Sequence, residues 1–379
     1  MVSLPADSVQ EARRQRLLKS LRTSDQSISF QRIRVLVPGT GARFRCGGLS
    51  VALQTARILG SLLTTEVVTY RERQENHPYL DDLLEIMPKD DDSLWLVSWG
   101  FDVPQLLRKL HLRSVLYQAH SSGYRFDLPP GIPIVAVSRN TLGYWADKTP
   151  RNPVFLVPNA LEPQWLEKGD RTNLRERPID VLVQLRKSSP YVLNKLVPAL
   201  QANGFRVEVQ HGWVDDLVGL FNSSKVYIYD SAEYWKGVGV SEGFGLPPIE
   251  ALASGCVVFT SFNHALADLL TPDQTAYQIG CGSFAYDLHR IKLAIKSPQD
   301  WRAPKTQVDE IIKLVSEESL RSRWASLLHN LEIGFPFWEN SNELLTSSSG
   351  INLKISRRLN KLKSKMRLLV NSLGFRQSV

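Results

Sequence analysis

Two glutamates, Glu242 and Glu250, stand with seven residues between them inside Ser241–Phe259, which reads SEGFGLPPIEALASGCVVF. The glycines of this stretch lack Cβ atoms, so backbone N–H groups can come close to a ligand. Pro247 and Pro248 suit the first turn of a helix, whose free N–H groups and dipole attract an anion. The stretch therefore predicts an anion-binding helix start between two carboxylates. The alternative is a common strand-to-helix turn with two solvated glutamates.

The order of residue types around the glutamates predicts a loop, a helix and a strand. The helix opens at one of the two prolines, buries Ala251–Ala253 and ends before Gly255, which suits the C′ position. The apolar run Val257–Phe259 then predicts a strand that is covered on both faces.

This stretch resembles the E-x7-E segment of glycosyltransferase family 4, whose members are retaining, nucleotide-sugar-dependent enzymes with the GT-B fold. The family segment commonly reads E-G-F-G-L-P-x-x-E-A-x-A-x-G, and every fixed place is filled here. The resemblance implies that Glu242 meets the hydroxyls of the donor sugar and that Glu250 hydrogen-bonds the ribose. The residues that it places close to the sugar and the phosphate are Gly243, Phe244, Gly245 and Leu246.

A histidine follows a predicted strand at the edge where open α/β sheets gather their ligands. His120 comes directly after Ser114–Gln118 and its neighbour Ala119. The resemblance implies that His120 lies near the donor sugar and steadies it together with Glu242. The alternative is a hydrogen-bonded loop histidine. The histidines that we expect to be structural are His77, His111, His264 and His289.

Two cations, Arg186 and Lys187, follow the predicted strand Ile179–Leu185 at its carboxyl end. The resemblance implies that they neutralise the donor diphosphate, which gains negative charge as the glycosidic bond breaks. The family usually places its lysine later in the chain, and Lys195 is the alternative here. The next such strand ends at Asp230, and the nine residues AEYWKGVGV after Ser231 predict a long loop before the E-x7-E stretch. With Tyr234, Trp235 and Lys236, this loop either shapes a sugar pocket or covers the surface.

A diglycine, Gly47 and Gly48, opens the first predicted helix after a strand that ends in Pro38–Gly41. Position 44 is Phe, so the dinucleotide fingerprint G-x-G-x-x-G is incomplete. The resemblance implies that this turn faces the cleft between two domains, near the acceptor and the donor phosphate. The alternative is a loop that binds nothing.

Strand, loop and helix patterns alternate from residue 31 onward, which predicts parallel, doubly wound sheets. With the resemblance, the predicted architecture is α/β GT-B, two Rossmann-like domains facing a central cleft. The predicted segments are a polar leader helix (1–30), an acceptor-side domain (31–165), a nucleotide-sugar-binding domain (166–318), a crossover helix returning to the first domain (319–345) and a basic amphipathic tail (346–379).

The positive charge is concentrated in the tail. The chain carries 46 Lys and Arg against 38 Asp and Glu, a net charge of +8, and residues 351–379 hold eight cations and no acid. A nucleic-acid-binding protein would spread its basic surface over the folded body, so we expect no nucleic-acid partner. Leu359, Leu362, Met366, Leu369 and Leu373 recur at helical spacing. The pattern favours an anionic membrane surface; the alternatives are a solvated tail or a partner-binding helix.

Composition bounds the remaining expectations. The 379 residues are 43% apolar and 22% charged, which is typical of a soluble globular protein of two domains. Three widely spaced cysteines and an N-terminus without an apolar signal core favour a cytoplasmic location, with peripheral contact at the inner membrane face. The run Asp90–Asp92 precedes a strand rather than following one, so we expect no metal and no cofactor beyond the donor itself.

The predicted activity is transfer of a hexosyl or deoxyhexosyl unit from a nucleotide sugar to a glycan or lipid-linked acceptor, with retention of configuration, in cell-surface polysaccharide synthesis. Two alternatives stay open at this point. One is a nucleotide-sugar epimerase on the same fold, and the other is a non-catalytic nucleotide-sugar-binding or scaffold protein.

Overall fold

The computed structural model describes residues 30–88, 91–173, 176–339, 342 and 344–374, with side chains up to residue 366. Within this part of the chain the strands form two parallel sheets, which confirms the predicted doubly wound α/β architecture. The predicted leader helix lies outside the described residues. We call the part built on the first sheet the N-terminal domain and the part built on the second sheet the C-terminal domain.

The first sheet has the order β2-β1-β3-β4-β5-β6, with neighbouring strands parallel. Its strands are apolar runs because helices cover both faces. The strands are β1 Arg32–Val37, β2 Thr64–Thr69, β3 Ser93–Val97, β4 Val115–Ala119, β5 Ile134–Ala136 and β6 Val154–Leu156. The helices of this part are Gly47–Gly60, Leu80–Ile86, Val103–Lys109, Arg139–Lys148 and Pro163–Lys168, with a 3-10 turn at Ala42–Phe44.

The second sheet has the order β11-β10-β9-β7-β8 and is also parallel. Its strands are β7 Ile179–Gln184, β8 Val207–Gln210, β9 Ser224–Tyr229, β10 Val257–Thr260 and β11 Tyr277–Gln278. Its helices are Val197–Ala202, Leu217–Asn222, Ala232–Val238, Leu246–Ala253, Leu266–Leu269, Phe284–Lys296, Pro298–Trp301 and Lys305–Leu314.

Both sheets share a feature that locates ligand sites. In the first sheet β1 lies between β2 and β3, and in the second β7 lies between β8 and β9, so the strand order reverses at β1 and at β7. Ligands of open α/β sheets bind outside the carboxyl ends of the strands at this reversal. The loops that follow β7 and β9 are therefore the expected lining of a site.

The helix Glu317–Trp338 follows the C-terminal domain in sequence but packs in the core of the N-terminal domain. Phe30 and Phe335 meet edge to face with ring centroids 5.1 Å apart. The chain passes between the domains twice, and the two passages are joined where Leu161 N donates to Val315 O at 2.8 Å. The long helix thus fastens the domains to each other.

Trp324 in this helix is fully buried in the N-terminal core. We expect Trp324→Ala to lower the free energy of unfolding by about 3–5 kcal/mol, because the core cannot refill the volume of an indole. Urea titration measures the change. Glu318→Ala, on an exposed position of the same helix, serves as the control. A loss below about 1 kcal/mol for Trp324→Ala would contradict this packing.

One predicted element differs in the structure. The stretch after Ser231, predicted as a loop, forms the helix Ala232–Val238, which ends at Gly239 in the left-handed region (φ +78°). The prediction was wrong because so short a helix has no apolar periodicity to reveal it. Elsewhere, a π-helical segment, Val192–Leu196, precedes the helix Val197–Ala202, where Pro198 has no N–H for an ordinary helical ladder.

The basic tail forms the helix Gly350–Gly374. Its described side chains, from 350 to 366, are all exposed. Among the described residues no helix combines the length and the hydropathy that crossing a membrane requires.

Candidate active site

The E-x7-E stretch lies between β9 and β10, on the side of the second sheet that meets the N-terminal domain. Gly245 adopts φ +88° and precedes the helix Leu246–Ala253, and a Cβ at position 245 would lie 2.3 Å from Leu266 Cδ2. The helix carries proline in its first turn, and Gly255 follows its end with φ +75°. Because Pro247 and Pro248 carry no N–H, the donors at this helix start that the helix itself does not use are the backbone N–H groups of Gly245 and Leu246.

Glu242 is buried, with 4% of its surface exposed, and its carboxylate has defined partners. Oε2 accepts hydrogen bonds from the Tyr229 hydroxyl and, at 2.7 Å, from Trp235 Nε1. Oε1 lies 3.7 Å from Lys187 Nζ. A buried carboxylate needs such partners to offset its lost hydration. One oxygen is thus committed to neutral donors, and the other faces a cation.

The backbone of Glu242 is also held. Its N–H donates to His264 Nδ1 at 3.3 Å, and burial lowers the pKa of His264, which favours the neutral ring that such an acceptor requires. His264 itself adopts a left-handed backbone, φ +54°. Sequence analysis placed His264 among the structural histidines; the structure brings it into direct contact with the predicted catalytic glutamate.

Lys187 reaches the site from the loop after β7, at the strand-order reversal of the second sheet. Its backbone is left-handed, φ +68°, which costs a non-glycine residue on the order of 1–3 kcal/mol. Its ammonium lies 4.8 Å from the centroid of the Trp235 ring. Arg186 next to it is exposed. The structure therefore turns Lys187 toward Glu242 and leaves Arg186 at the surface of the same loop.

Glu250 lies on the helix that follows Gly245 and is half-buried. Loss of hydration raises the pKa of Glu250 to about 7, against the opposing effect of the Lys187 ammonium, and the charge of Glu162 raises it further. The interaction with Lys187 indicates that the second predicted glutamate belongs to the same electrostatic cluster as the first.

The raised pKa of Glu250 gives a pH-dependent stability. Because the native state holds this proton more tightly than the unfolded chain, the free energy of unfolding falls as pH rises from about 4.5 to about 7. We expect Glu250→Gln to remove that fall, so that its stability relative to the wild type increases across this range and is constant above it. Unfolding midpoints at a series of pH values measure the difference, with exposed Glu233→Gln as control. Parallel curves for wild type and Glu250→Gln would refute the assignment.

His120 lies at the carboxyl end of β4, in the N-terminal domain. Burial lowers its pKa to about 4, so the ring is neutral near pH 7. Its Nε2 atom is buried and has no hydrogen-bond partner among the described residues. The backbone of Gly243 lies directly against it, since a Cβ at position 243 would be 1.4 Å from the His120 carbonyl oxygen. The structure thus brings two predicted site residues from different domains together.

Hydrogen bonds join the domains beside this contact. Ser122 N donates to Ser241 Oγ at 2.9 Å, Ser241 N donates to Ser122 O at 3.1 Å, and Ser121 Oγ donates to Ser241 O. Asp268 Oδ2 accepts from Arg139 N at 2.6 Å, at the start of the helix Arg139–Lys148. Glu242 therefore lies next to a hydrogen-bonded contact between the two domains.

The diglycine at Gly47 and Gly48 opens the helix Gly47–Gly60, as predicted, and both residues are exposed. A Cβ at Gly47 would meet no atom within 4 Å. The loop before the diglycine reaches the C-terminal domain, because the Arg45 guanidinium lies 5.4 Å from the ring of Trp213, which follows β8. The diglycine thus faces open space beside a contact between the two domains.

The remaining predicted donor residues lie where the stretch turns into its helix. Phe244 is buried in the core of the C-terminal domain, and Leu246 packs against that core. Tyr229, which ends an apolar strand, was missed as a site residue. Trp235 was expected in a loop that either shapes a sugar pocket or covers the surface; it lies instead in a helix, with its indole N–H on Glu242. In the described residues, no three His, Cys, Asp or Glu side chains are grouped so that they could hold a metal ion.

No protein-family model and no curated protein sequence matches the chain. Solved structures match its fold. A sucrose-phosphate synthase from Thermosynechococcus elongatus, 14% identical, matches with a TM-score of 0.58 over 79% of this chain and 99% of that one. HepE from Anabaena, solved with UDP and glucose, is 13% identical and matches with a TM-score of 0.57 over 79% of this chain and all of that one. The structure of HepE with UDP-glucose matches with a TM-score of 0.55. The chain therefore has the fold of these proteins, and the predicted GT-B architecture is confirmed.

Proposed function

We propose that the protein is a glycosyltransferase that moves a sugar from a nucleotide-sugar donor to an acceptor with retention of configuration. The observation that supports it best is the pair formed by buried Glu242 and half-buried Lys187, near the start of the helix Leu246–Ala253. A carboxylate suits the sugar hydroxyls of such a donor, and a cation and a helix start suit its phosphates.

In this proposal different residues bind different parts of the donor. The backbone N–H groups of Gly245 and Leu246 and the ammonium of Lys187 bind the diphosphate, and Arg186 adds charge from the surface of the loop. Glu250 accepts a ribose hydroxyl, which its ionised form does best. As the glycosidic bond breaks, the leaving diphosphate gains negative charge, and these fixed groups stabilise it without rearranging.

Glu242 and His120 contact the donor sugar. Oε1 of Glu242 is not committed to a neutral donor, so it accepts a sugar hydroxyl, while neutral His120 offers its buried Nε2 from the other domain. The diglycine Gly47 and Gly48 lies on the acceptor side. The joined domains exclude water, which favours transfer over hydrolysis.

The donor is a UDP-hexose in this proposal. The support is that one protein of like fold was solved with UDP, glucose and UDP-glucose, and another is a sucrose-phosphate synthase. The acceptor is a glycan or a lipid-linked saccharide of cell-surface polysaccharide synthesis. We place the reaction in the cytoplasm, at the inner face of the membrane.

A thermal-shift panel of UDP-, GDP- and dTDP-sugars tests the donor proposal. A ligand that binds only the native state at about 100 times its Kd stabilises it by about 2.7 kcal/mol. We expect UDP-glucose to raise the melting temperature most. No shift with any nucleotide sugar would contradict the proposal. Release of an epimerised nucleotide sugar, with no glycoside formed in the presence of acceptors, would favour an epimerase instead.

We propose further that the tail helix binds anionic membrane. Five of its six described apolar side chains, Ile351, Ile355, Leu359, Leu362 and Met366, are 51–70% exposed and fall on one stripe of the helix; Leu353, 58% exposed, lies on the opposite side. Lysines and arginines occupy the other faces without an acid among them. Such a helix lies flat in the headgroup region, where each cation adds about 1 kcal/mol.

Vesicle sedimentation tests the tail. We expect the full chain to sediment with phosphatidylglycerol-rich vesicles and to dissociate from them at high salt. It should not sediment with vesicles of pure phosphatidylcholine. Leu359→Glu, on the apolar stripe, should abolish sedimentation, whereas Asn360→Glu, off the stripe, should only weaken it. Equal binding to both vesicle types, or self-association in place of binding, would contradict a membrane role.

We also expect transfer to need no metal. Protein cations and a helix start neutralise the diphosphate in this proposal, so excess EDTA should leave the rate of glycoside formation within about twofold. The measurement is a product assay with and without chelator, with added Mg²⁺ as the reciprocal arm. A loss of activity that Mg²⁺ restores would show that the charge is neutralised by a metal.

A further inference from the structure

The helix Ala232–Val238 brings a tryptophan over the candidate site. It begins shortly after β9 and is followed by Gly239 and Val240, which lie against Gly123 of the N-terminal domain. A Cβ at Gly123 would be 2.6 Å from the Gly239 carbonyl oxygen. This short helix therefore lies between the end of β9 and the N-terminal domain, and Trp235 is at its middle.

Trp235 makes two polar contacts with different parts of its ring system. The indole N–H donates to Glu242 Oε2 at 2.7 Å, and the Lys187 ammonium lies 4.8 Å from the ring centroid. An ammonium is attracted to the face of an indole by the ring quadrupole. The same side chain thus contacts both members of the ion pair.

The ion pair is loose without these contacts. Lys187 Nζ and Glu242 Oε1 are 3.7 Å apart, longer than a hydrogen bond, so the pair does not by itself fix either side chain. Tyr229 and Trp235 both donate to Oε2, so both orient the carboxylate, but Trp235 also contacts the Lys187 ammonium. Trp235 therefore links the orientation of the carboxylate to that of the ammonium.

From these contacts we infer that Trp235 is a positioning residue for the donor sugar, an assignment that rests on the proposed function. Its N–H turns Glu242 so that Oε1 faces the sugar hydroxyls. Its ring face holds Lys187 within reach of the diphosphate before the donor binds. Preorganised groups of this kind lower the reorganisation needed when the donor enters the site.

Conservative variants separate the two contacts. Trp235→Phe keeps a ring face for Lys187 but removes the N–H, and Trp235→Leu removes both. Tyr234→Phe, a hydroxyl deletion on the neighbouring residue of the same helix, is the matched control. Kd for UDP and kcat/KM for UDP-glucose are measured for each, with melting temperatures to confirm folding.

We expect Trp235→Phe to lower kcat/KM by about 10- to 100-fold while changing Kd for UDP by less than about threefold, since UDP lacks the sugar. Trp235→Leu should also weaken UDP binding. A Trp235→Phe enzyme with unchanged kcat/KM would overturn the inference. So would an equal loss in both measurements, because a purely structural role would affect UDP and the donor alike.

A second readout does not need activity. In protein labelled with ¹⁵N-tryptophan, the indole resonance absent from Trp235→Phe belongs to Trp235. We expect Glu242→Gln to move this resonance, because an amide is a weaker acceptor than a carboxylate, and Glu233→Gln to leave it in place. If no nucleotide sugar binds but the resonance moves, the proposed function fails and the contact stands; an unmoved resonance overturns the contact itself.

Discussion

Glu242→Gln is expected to reduce glycosyl transfer by about 10²- to 10³-fold, the loss that follows removal of one preorganised electrostatic group from an active site. Gln keeps the volume and one oxygen acceptor, but it removes the charge that faces Lys187. The change should appear mainly in kcat, since Glu242 contacts the sugar whose glycosidic bond breaks. Initial rates of glycoside formation over a range of donor concentrations measure it.

The control for this variant is Glu233→Gln, the same chemical change at an exposed position nine residues earlier in the chain. It should retain wild-type rates, because a solvated glutamate contributes little to a buried site. If Glu242→Gln is as active as Glu233→Gln, the carboxylate has no part in transfer, and a binding or scaffold role becomes the better account.

Gly243→Ala is expected to cost at least about 100-fold in kcat/KM by forcing the domains apart. The added methyl group would stand 1.4 Å from the His120 carbonyl oxygen, a backbone atom that cannot rotate away. A displacement of about 1 Å between reacting groups is enough for a loss of this size. Kd for UDP should change little, because Lys187 and Glu250 both belong to the C-terminal domain.

Gly237→Ala is the matched change for this second variant. A Cβ there would meet no atom within 4 Å, and position 237 lies in a helix that favours alanine over glycine. We expect wild-type kinetics from it. Small-angle scattering supplies the structural readout, since Gly243→Ala should enlarge the radius of gyration while Gly237→Ala should not. A fully active Gly243→Ala enzyme would show that the contact with His120 is not needed for transfer.

The fold and the central stretch were predictable because their signals are local. Apolar runs such as β4 and β10 follow from burial on both faces, and the helix after Gly245 follows from glycine and proline placed at its start. The doubly wound sheets then follow from the alternation of strands and helices. Local patterns of this kind hold whatever the rest of the chain does.

The partners of Glu242 were not predictable by the same means. Trp235 reaches the carboxylate because its helix folds back over the site, and His264, in a left-handed turn 22 residues after Glu242, accepts from the Glu242 backbone N–H. Lys187 points inward through an unfavourable backbone conformation that no propensity favours. Tertiary packing decides each of these placements, and a single sequence does not display it.

In the proposed function a nucleoside diphosphate binds where Lys187 and the helix start after Gly245 meet. Calorimetric titration with UDP measures this binding directly for the wild type, for Lys187→Ala and for Lys296→Ala, which changes an exposed lysine at the end of another helix. We expect Kd for UDP to rise at least about tenfold in Lys187→Ala and to be unchanged in Lys296→Ala. Equal affinity in all three proteins, or no binding to the wild type, would contradict it.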